Sequence, residues 1–296
     1  MATEPAFQPY LVHVARKQRL SPHFMRIVFT GDELDHFGND GYDQRIKVML
    51  PMTLTHGESQ ALWADPLLFD HESIARGGWW EQWRALPPEN RNVFRTYTVR
   101  AIDQAAREVT VDFVLHHDAG PAGSFAATCQ PGDIATLIGP NARSEDSAIG
   151  IDFHPNDADS ALLIGDETAV PAISSILEGV VRDGWLGRIE VFAEVPSEDD
   201  ALDLIRPEQT AIHWISRGSA PRGQHVLAAL LDRYRSFNPI PGRGHPNEAL
   251  PLPSYCWIAG ESSLVRDTRR LLVNEFGIAK ERISFMGYWR EGKSEL

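Results

Sequence analysis

The pattern of apolar residues changes near the middle of the 296-residue chain, and this change limits the possible folds more than any other feature. In the first half, short β-rich runs follow one another with no strong helical period between them. In the second half, a continuous apolar run over residues 161–165 precedes a helical segment from Val170 to Arg182, and strands continue to alternate with helices. The first pattern favours an antiparallel β domain, and the second favours an α/β domain on a mostly parallel sheet.

Six β-rich runs in the first half predict a small antiparallel barrel over residues 1–145. The runs cover residues 10–14, 24–29, 44–50, 94–101, 109–116 and 133–138. Alternation in the third run directs Arg45 and Lys47 away from the apolar side formed by Ile46 and Val48. Residues 51–90 interrupt the pattern, and we interpret their tryptophans as a local core rather than a binding platform.

The second domain is predicted over residues 158–296, after a polar linker at residues 143–159. Further strands are expected at residues 189–195, 211–216, 255–259 and 283–286. The clearest helix is the last one, with Ser262 as its cap and Gly277 at its end. Proline and glycine over residues 238–253 predict a surface loop.

Composition excludes several classes of protein. The net charge is -13 and no basic cluster is visible, which argues against nucleic-acid binding. Two distant cysteines can form neither a four-cysteine iron–sulfur cluster nor a disulfide framework, and the histidines lack the spacing of metal ligands. No apolar stretch reaches the ~18 residues of a membrane span, and the first residues do not resemble a secretory signal. We therefore expect a cytoplasmic protein with no resident metal and no membrane partner.

The string from Arg95 to Arg100 is the most informative candidate site. On a strand, Arg95 and Tyr97 point to one side, and Thr96 and Thr98 point to the other. A guanidinium suits a pyrophosphate, a tyrosine ring can lie against a flavin, and a threonine can reach the N5 edge of the flavin. An ordinary strand with alternating surface residues explains the string alone equally well.

A second string, from Gly120 to Phe125, follows about twenty residues later. Its glycines would let the backbone approach a phosphate, and Ser124 could cap a helix whose free N–H groups point at that phosphate. Loops of this composition are common, so the order of the two strings carries more weight than either string alone.

Together these strings resemble the siderophore-interacting protein family, the FAD-dependent ferric-siderophore reductases of the ferredoxin-reductase superfamily. The matching segments in order are residues 95–100, 116–125, 131–133, 165–173, 192–196, 257–261 and 287–292. The likeness therefore covers nearly the whole chain. In the phosphate loop, His117 stands where the family has glycine, and Phe125 stands where it has tryptophan.

The resemblance implies roles for individual residues. For FAD it implies Arg95, Thr96, Tyr97, Thr98, His116, Ala122, Gly123 and Ser124, with Thr98 as the catalytic residue at the flavin ring edge. For the nicotinamide dinucleotide it implies Gly165, Asp166, Thr168, Ala169, Gly260 and Glu261. The segment after Gly165 lacks the GxGxxG fingerprint, but it keeps the strand, tight turn and helix start of a nucleotide site.

The activity implied is hydride transfer from NADPH or NADH to FAD, followed by electron transfer to the Fe(III) of a ferric siderophore or another ferric chelate. Lys47 and Arg45 are the candidates for binding an anionic substrate, and we expect a monomer or a weak dimer. Two alternatives stay open: a general flavin or ferric-chelate reductase, and a ferric-siderophore-binding protein without turnover.

Arg217 is the candidate for nicotinamide preference. It resembles the arginine that grips the 2′-phosphate of NADPH in ferredoxin reductases, and this favours NADPH over NADH. Alternatively, Arg217 is a surface arginine paired with the acidic residues Glu198, Asp199 and Asp200. If Arg217 binds the 2′-phosphate, its removal would reduce activity with NADPH and leave activity with NADH nearly unchanged.

Overall fold

A computed structural model describes residues 4–51, 53–55, 61–63, 72, 74, 76–116, 120–234 and 251–292. The chain forms two compact units that divide between Ile151 and Asp152. His117 and most of the predicted loop at residues 238–253 lie outside the described residues. Across the parts of the chain that the structure describes, no helix is long and apolar enough to cross a membrane.

The first unit is an antiparallel β structure, as predicted. Its strands are β1 (Phe7–Arg19), β2 (Phe24–Thr30), β3 (Arg45–Met49), β4 (Thr53–Thr55), β5 (Ala61–Trp63), β6 (Phe94–Thr98), β7 (Ala101–Asp103), β8 (Glu108–Val114) and β9 (Ile134–Pro140). Its helices are α1 (Trp79–Ala85) and α2 (Pro121–Thr128). Seven strands form one sheet in the order β6-β3-β9-β1-β2-β8-β7, and β4 pairs with β5 separately.

The two faces of β3 differ because apolar and polar residues alternate along it. Ile46 and Val48 are buried in the core of the sheet, and Lys47 between them is exposed, which confirms the predicted alternation. On the other face, Met49 packs with Trp83 of α1 and Phe94 of β6 in a separate cluster. Trp83 therefore belongs to a local core of the kind that we predicted for this segment.

The single strand predicted over residues 94–101 is in fact two strands, β6 and β7. The amide of Val99 donates to the carbonyl of Gln44, whereas the next amide, that of Arg100, donates to the carbonyl of Thr110. The chain thus changes its hydrogen-bonding neighbour from the β3 side to β8 between two consecutive residues. This change explains why the sheet has seven strands instead of six.

The second unit is a parallel α/β structure, as predicted. Its strands are β10 (Ser160–Gly165), β11 (Arg188–Val195), β12 (Ala211–Ser216), β13 (Tyr255–Glu261) and β14 (Ile283–Trp289). Its helices are α3 (Val170–Arg182), α4 (Gln224–Tyr234) and α5 (Ser262–Asn274), so α3 has the predicted bounds. The strand order is β12-β11-β10-β13-β14, and α4 and α5 share one apolar core with the sheet.

Candidate functional site

One face of the β3–β6 pair carries residues predicted for both substrate and FAD. In the antiparallel register, Lys47 lies opposite Thr96, and Arg45 lies opposite Thr98. Residues directly opposite each other share a face, so these four side chains form a row, which we call the basic row. Within it, Lys47 Nζ donates to Thr96 Oγ1 at 2.5 Å. Arg45 Nε donates to the carbonyl of Gly150 at 3.2 Å, which fixes the base of the guanidinium.

Arg95 and Tyr97 lie on the opposite face of β6, as strand alternation requires. The ring of Tyr97 lies 4.3 Å from the ring of Phe113 between centroids. Burial raises the pKa of the Tyr97 phenol, against a smaller opposing effect of Arg95, so the hydroxyl keeps its proton at neutral pH. Arg95 Nη1 donates to the carbonyl of Phe94 at 2.7 Å.

The predicted phosphate loop forms the start of α2. Gly120 is the N-cap and Pro121 is the first helical residue, so the prediction that Ser124 caps this helix is wrong. Ser124 lies inside the first turn, and its amide donates to the carbonyl of Gly120 at 2.9 Å. The amides of Ala122 and Gly123 precede the first intrahelical hydrogen bond, and such amides at a helix start suit an anionic phosphate. A side chain built on Gly120 would meet no atom of the described residues within 4 Å.

Phe113 of β8 connects the two predicted FAD strings. Its ring contacts Tyr97 of β6 and lies 6.5 Å from the ring of Phe125 of α2. Phe125, which stands where the family has tryptophan, is fully buried beneath the start of α2. His116 lies just beyond β8 and is exposed. Sequence reasoning missed Phe113, although its place in an apolar strand marked it as a core residue.

The sheet order of the second unit creates a crevice at a defined place. β10 is the first strand, and the chain continues to β11 and β12 on one side and to β13 and β14 on the other. Ligands of such sheets bind at the carboxyl ends of the strands where the order reverses. There, Gly165 lies beside Ala259, and a side chain on Gly165 would come within 2.8 Å of the Ala259 carbonyl. The predicted glycines therefore lie at the switch point of the sheet.

At this point, hydrogen bonds to Asp166 connect the carboxyl ends of β10, β13 and β14. Asp166 is fully buried, and its Oδ1 accepts from the amide of Thr168 at 2.9 Å and from Thr168 Oγ1 at 2.5 Å. Its Oδ2 accepts from the amide of Glu261 at 2.7 Å and from Trp289 Nε1 at 3.2 Å. Burial and the neighbouring Glu167 raise the pKa of Asp166 to about 6. The carboxylate of Asp166 thus faces protein groups and shapes the crevice from within.

Glu261 caps α5, which corrects the prediction that Ser262 does so. Its Oε2 accepts from the amide of Ser263 at 2.6 Å and from the amide of Leu264 at 3.2 Å. Its Oε1 accepts from the amide of Glu291 at 3.3 Å, which fixes the chain just after β14. Burial opposes ionisation of Glu261, but a hydrogen bond from the Ser263 hydroxyl, together with those from the amides, outweighs it and lowers the pKa of the carboxyl.

Arg217 follows β12 and points into the protein. Its Nη1 donates to Glu167 Oε2 at 2.7 Å and to Glu194 Oε1 at 3.2 Å, and its Nη2 donates to Glu167 Oε1 at 3.2 Å. The Arg217 side chain is 11% exposed, and both carboxylates are fully buried. Arg217 is therefore neither a surface residue nor a partner of the acidic turn at residues 198–200. The assignment of Arg217 to the 2′-phosphate stays a prediction. In this structure its guanidinium already donates hydrogen bonds to Glu167 and Glu194.

Sequence reasoning missed Glu167, Glu194 and Arg222 as members of this site. Arg222 Nη1 donates to Glu167 Oε1 at 2.6 Å, and its guanidinium lies 4.5 Å above the ring of Trp289. Burial opposes ionisation of Glu167, but Arg217 and Arg222 outweigh it and lower its pKa; burial raises the pKa of Glu194. A signal was present, because Glu194 is an acid inside an apolar strand and buried acids require partners.

Comparisons with known proteins agree with both units. Residues 13–144 match the siderophore-interacting FAD-binding domain, and residues 158–292 match the siderophore-interacting protein family. Ferric vibriobactin reductase ViuB of Vibrio cholerae is 32% identical, over 97% of this chain and 91% of the relative. The siderophore-interacting protein SipS of Aeromonas hydrophila is 30% identical, covers 98% of this chain and 95% of its own, and superposes with a TM-score of 0.67. A siderophore utilization protein of T. fusca is 28% identical, covers 100% and 98%, and has a TM-score of 0.70.

These matches span both units, and the motifs that carry the sequence resemblance lie within the matched residues. The first unit is a FAD-binding domain, and the second follows it in the same order as in the relatives. The chain belongs to the siderophore-interacting protein family.

Proposed function

We propose that this chain is a reductase of ferric siderophores that uses FAD and takes electrons from NADH or NADPH. The observation that carries the proposal is the similarity to ferric vibriobactin reductase over nearly the full length of both chains. One NAD(P)H carries two electrons, so it suffices for two Fe(III) ions and releases one proton. Nicotinamide donors are held inside cells, so the proposal places the reaction in the cytoplasm.

The donor groups of the first unit fit FAD. The guanidinium of Arg95 can donate hydrogen bonds to a phosphate, and the Tyr97 ring can pack against a flat ring system. Thr98, the residue proposed for the flavin ring edge, ends the same strand. The amides of Ala122 and Gly123 lie in the first turn of α2 and suit the second phosphate of a dinucleotide. When bound, FAD supplies the conversion of a two-electron donor into single-electron transfers.

In the second unit, the switch-point crevice is the proposed site of NAD(P)H. Gly165 and Gly260 let two strand ends come close together, since a side chain on Gly260 would lie 2.7 Å from the carboxylate of Asp166. Thr168 and Ala169 lead into α3, which begins at Val170 beside the switch point. Asp166 and Glu261 hold the crevice in shape through the hydrogen bonds described above.

On the substrate side, we propose that Lys47 and Arg45 bind the anionic ferric chelate. Lys47 is exposed, and Arg45 is half-buried on the same face. Two cations next to each other attract an anionic chelate to an otherwise acidic protein of net charge -13. Loss of Lys47 should therefore raise the KM for the chelate and leave flavin reduction by the donor unchanged.

The test is anaerobic mixing of the purified holoprotein with NADH or NADPH, followed by a ferric siderophore. We expect the donor to bleach the flavin absorbance, and we expect the siderophore to restore it while Fe(II) accumulates in a colour-forming chelator. Binding of the siderophore without bleaching would identify a binding protein. Equal rates with every soluble ferric chelate would identify a general ferric reductase.

A further inference from the structure

Two arginines that follow β12 converge on one carboxylate in the second unit. Arg217 donates to both oxygens of Glu167, at 2.7 and 3.2 Å, and Arg222 donates to Glu167 Oε1 at 2.6 Å. The Glu167 side chain is fully buried, and the two arginine side chains are 11% and 16% exposed. Arg217 also donates to buried Glu194 near the carboxyl end of β11. Glu167 therefore acts as an internal anion for this pair of arginines.

An external anion would have to compete with this buried carboxylate. Burial opposes ionisation of Glu167, but the arginines lower its pKa, so it is charged at neutral pH. A phosphate that took over both guanidiniums would leave Glu167 as a buried charge without its partners, and such a charge is strongly destabilising. The arginine pair is thus poorly suited to receive a second anion.

An acidic turn lies next to Arg217 at the carboxyl ends of the strands. The amides of Arg217 and Gly218 donate to the carbonyls of residues 195 and 196, at 2.8 and 3.2 Å respectively. Glu198 and Asp199 follow shortly after these carbonyls, and both are exposed. A phosphate near Arg217 would approach these carboxylates, and like charges placed together oppose binding.

We propose that Glu167, together with the acidic turn at Glu198 and Asp199, makes the protein select NADH and reject NADPH. NADPH carries a 2′-phosphate where NADH carries a ribose hydroxyl. After the second strand of a dinucleotide-binding sheet, an acid suits that hydroxyl and an arginine suits the phosphate. β11 is the second strand of this unit, and the acidic turn follows it. The donor favoured by these contacts is the opposite of the one that the position of Arg217 in the sequence favours. This inference rests on the proposed function, because it names the electron donor of the same reductase.

The experiment measures binding to the oxidised holoprotein by isothermal titration calorimetry. The probes are the tetrahydro analogues of NADH and NADPH, which cannot transfer hydride, so no turnover is needed. The two probes differ only in the 2′-phosphate, and the ratio of their dissociation constants therefore reports on that group. The wild type should bind the NADH analogue at least about tenfold more tightly. Salt screens exposed charges, so the ratio should shrink between about 20 mM and 300 mM NaCl.

Variants of the acids test which groups set the ratio. Glu198→Gln combined with Asp199→Asn should tighten binding of the NADPH analogue about fivefold and should not tighten binding of the NADH analogue. Glu167→Gln removes the internal anion at nearly constant shape and should lower the ratio further, with thermal unfolding as the check that it still folds. The matched control is Glu275→Gln combined with Glu281→Gln. These two exposed acids lie between α5 and the amino end of β14, at the opposite edge of the sheet, and their loss should change neither affinity.

The outcomes separate this inference from the proposed function. Equal or tighter binding of the NADPH analogue by the wild type would overturn the inference and leave the reductase proposal intact. A ratio that neither acid variant changes would also overturn it, because other groups would then set the preference. Binding of neither analogue would contradict the nicotinamide donor of the proposed function itself.

Discussion

At the scale of single residues, Arg217 leads to a prediction that differs from the one its sequence position suggested. Arg217→Ala leaves buried Glu194 with the amide of Gly223 as its remaining partner and leaves Glu167 with Arg222. Removing one partner of a buried ion pair costs about 3–5 kcal/mol, so we expect the free energy of unfolding to fall by about 3 kcal/mol. Activity with NADH and with NADPH should fall together. Chemical denaturation and kcat/KM for both donors measure these effects.

Arg266→Ala is the control for this change, because its guanidinium is 54% exposed beside Asp267 and its loss should alter stability little. If Arg217→Ala keeps its stability and loses only activity with NADPH, by more than about tenfold, Arg217 binds the 2′-phosphate.

The sequence alone predicted which side chains are exposed better than it predicted which side chains form ion pairs with one another. Alternation along β3 was enough to place Lys47 on the exposed face. The partners of Arg217 were not predictable, because Glu167 precedes it by 50 residues and Glu194 by 23, and only the parallel sheet brings them together. The caps at Ser124 and Ser262 were predicted wrongly because a cap depends on the residue at which the helix starts.

At the scale of elements, Glu190 joins β11 to β12 and α4. Its carboxylate accepts from His213 Nε2 at 2.9 Å, from Arg233 Nε at 2.7 Å and from the Tyr234 hydroxyl at 2.8 Å. Burial opposes its ionisation, but these hydrogen bonds outweigh it and lower the pKa of Glu190 to about 2. A carboxyl whose pKa is lowered on folding stabilises the native state above its unfolded pKa, near 4.5.

We therefore expect Glu190→Gln to lower the free energy of unfolding by about 2–3 kcal/mol at neutral pH. The difference from the wild type should shrink as the pH falls from about 4.5 towards 2, because protonation of Glu190 removes the same interactions. Urea denaturation at a series of pH values measures this, with Glu198→Gln as the control, since Glu198 is an exposed acid of the same unit. A difference that stays constant down to pH 3 would show that Glu190 acts through packing alone.

The elements themselves followed closely from the sequence where local pattern decides. The periodicity of residues 170–182 predicted α3, and the apolar run at residues 161–165 predicted β10. The division of residues 94–101 into β6 and β7 did not follow, because it depends on which neighbour each amide meets. Local pattern fixes the type of an element, and non-local hydrogen bonds fix where a strand ends.

At the scale of the whole molecule, the choice between FAD and FMN depends on whether the cofactor has a second phosphate to bind. In the first unit we propose two separate phosphate-binding features, Arg95 on β6 and the start of α2. The ring of Phe113 lies between Tyr97 and Phe125 and so brings β6 and α2 to one side of the core. FMN has one phosphate and would leave one of these features without a ligand, whereas FAD has two.

We therefore expect heat-released cofactor from the purified protein to run as FAD on HPLC, and FMN or no flavin would contradict the assignment. Arg95→Ala should weaken FAD affinity by about 1.5–3 kcal/mol, the usual cost of a lost hydrogen bond to a charged group. Fluorescence titration of the apoprotein with FAD measures this affinity. Arg16→Ala is the control, because the Arg16 side chain is 61% exposed and pairs with Glu108 on the same unit. If both variants bind FAD as tightly as the wild type, Arg95 does not hold the pyrophosphate, and the start of α2 alone accounts for phosphate binding.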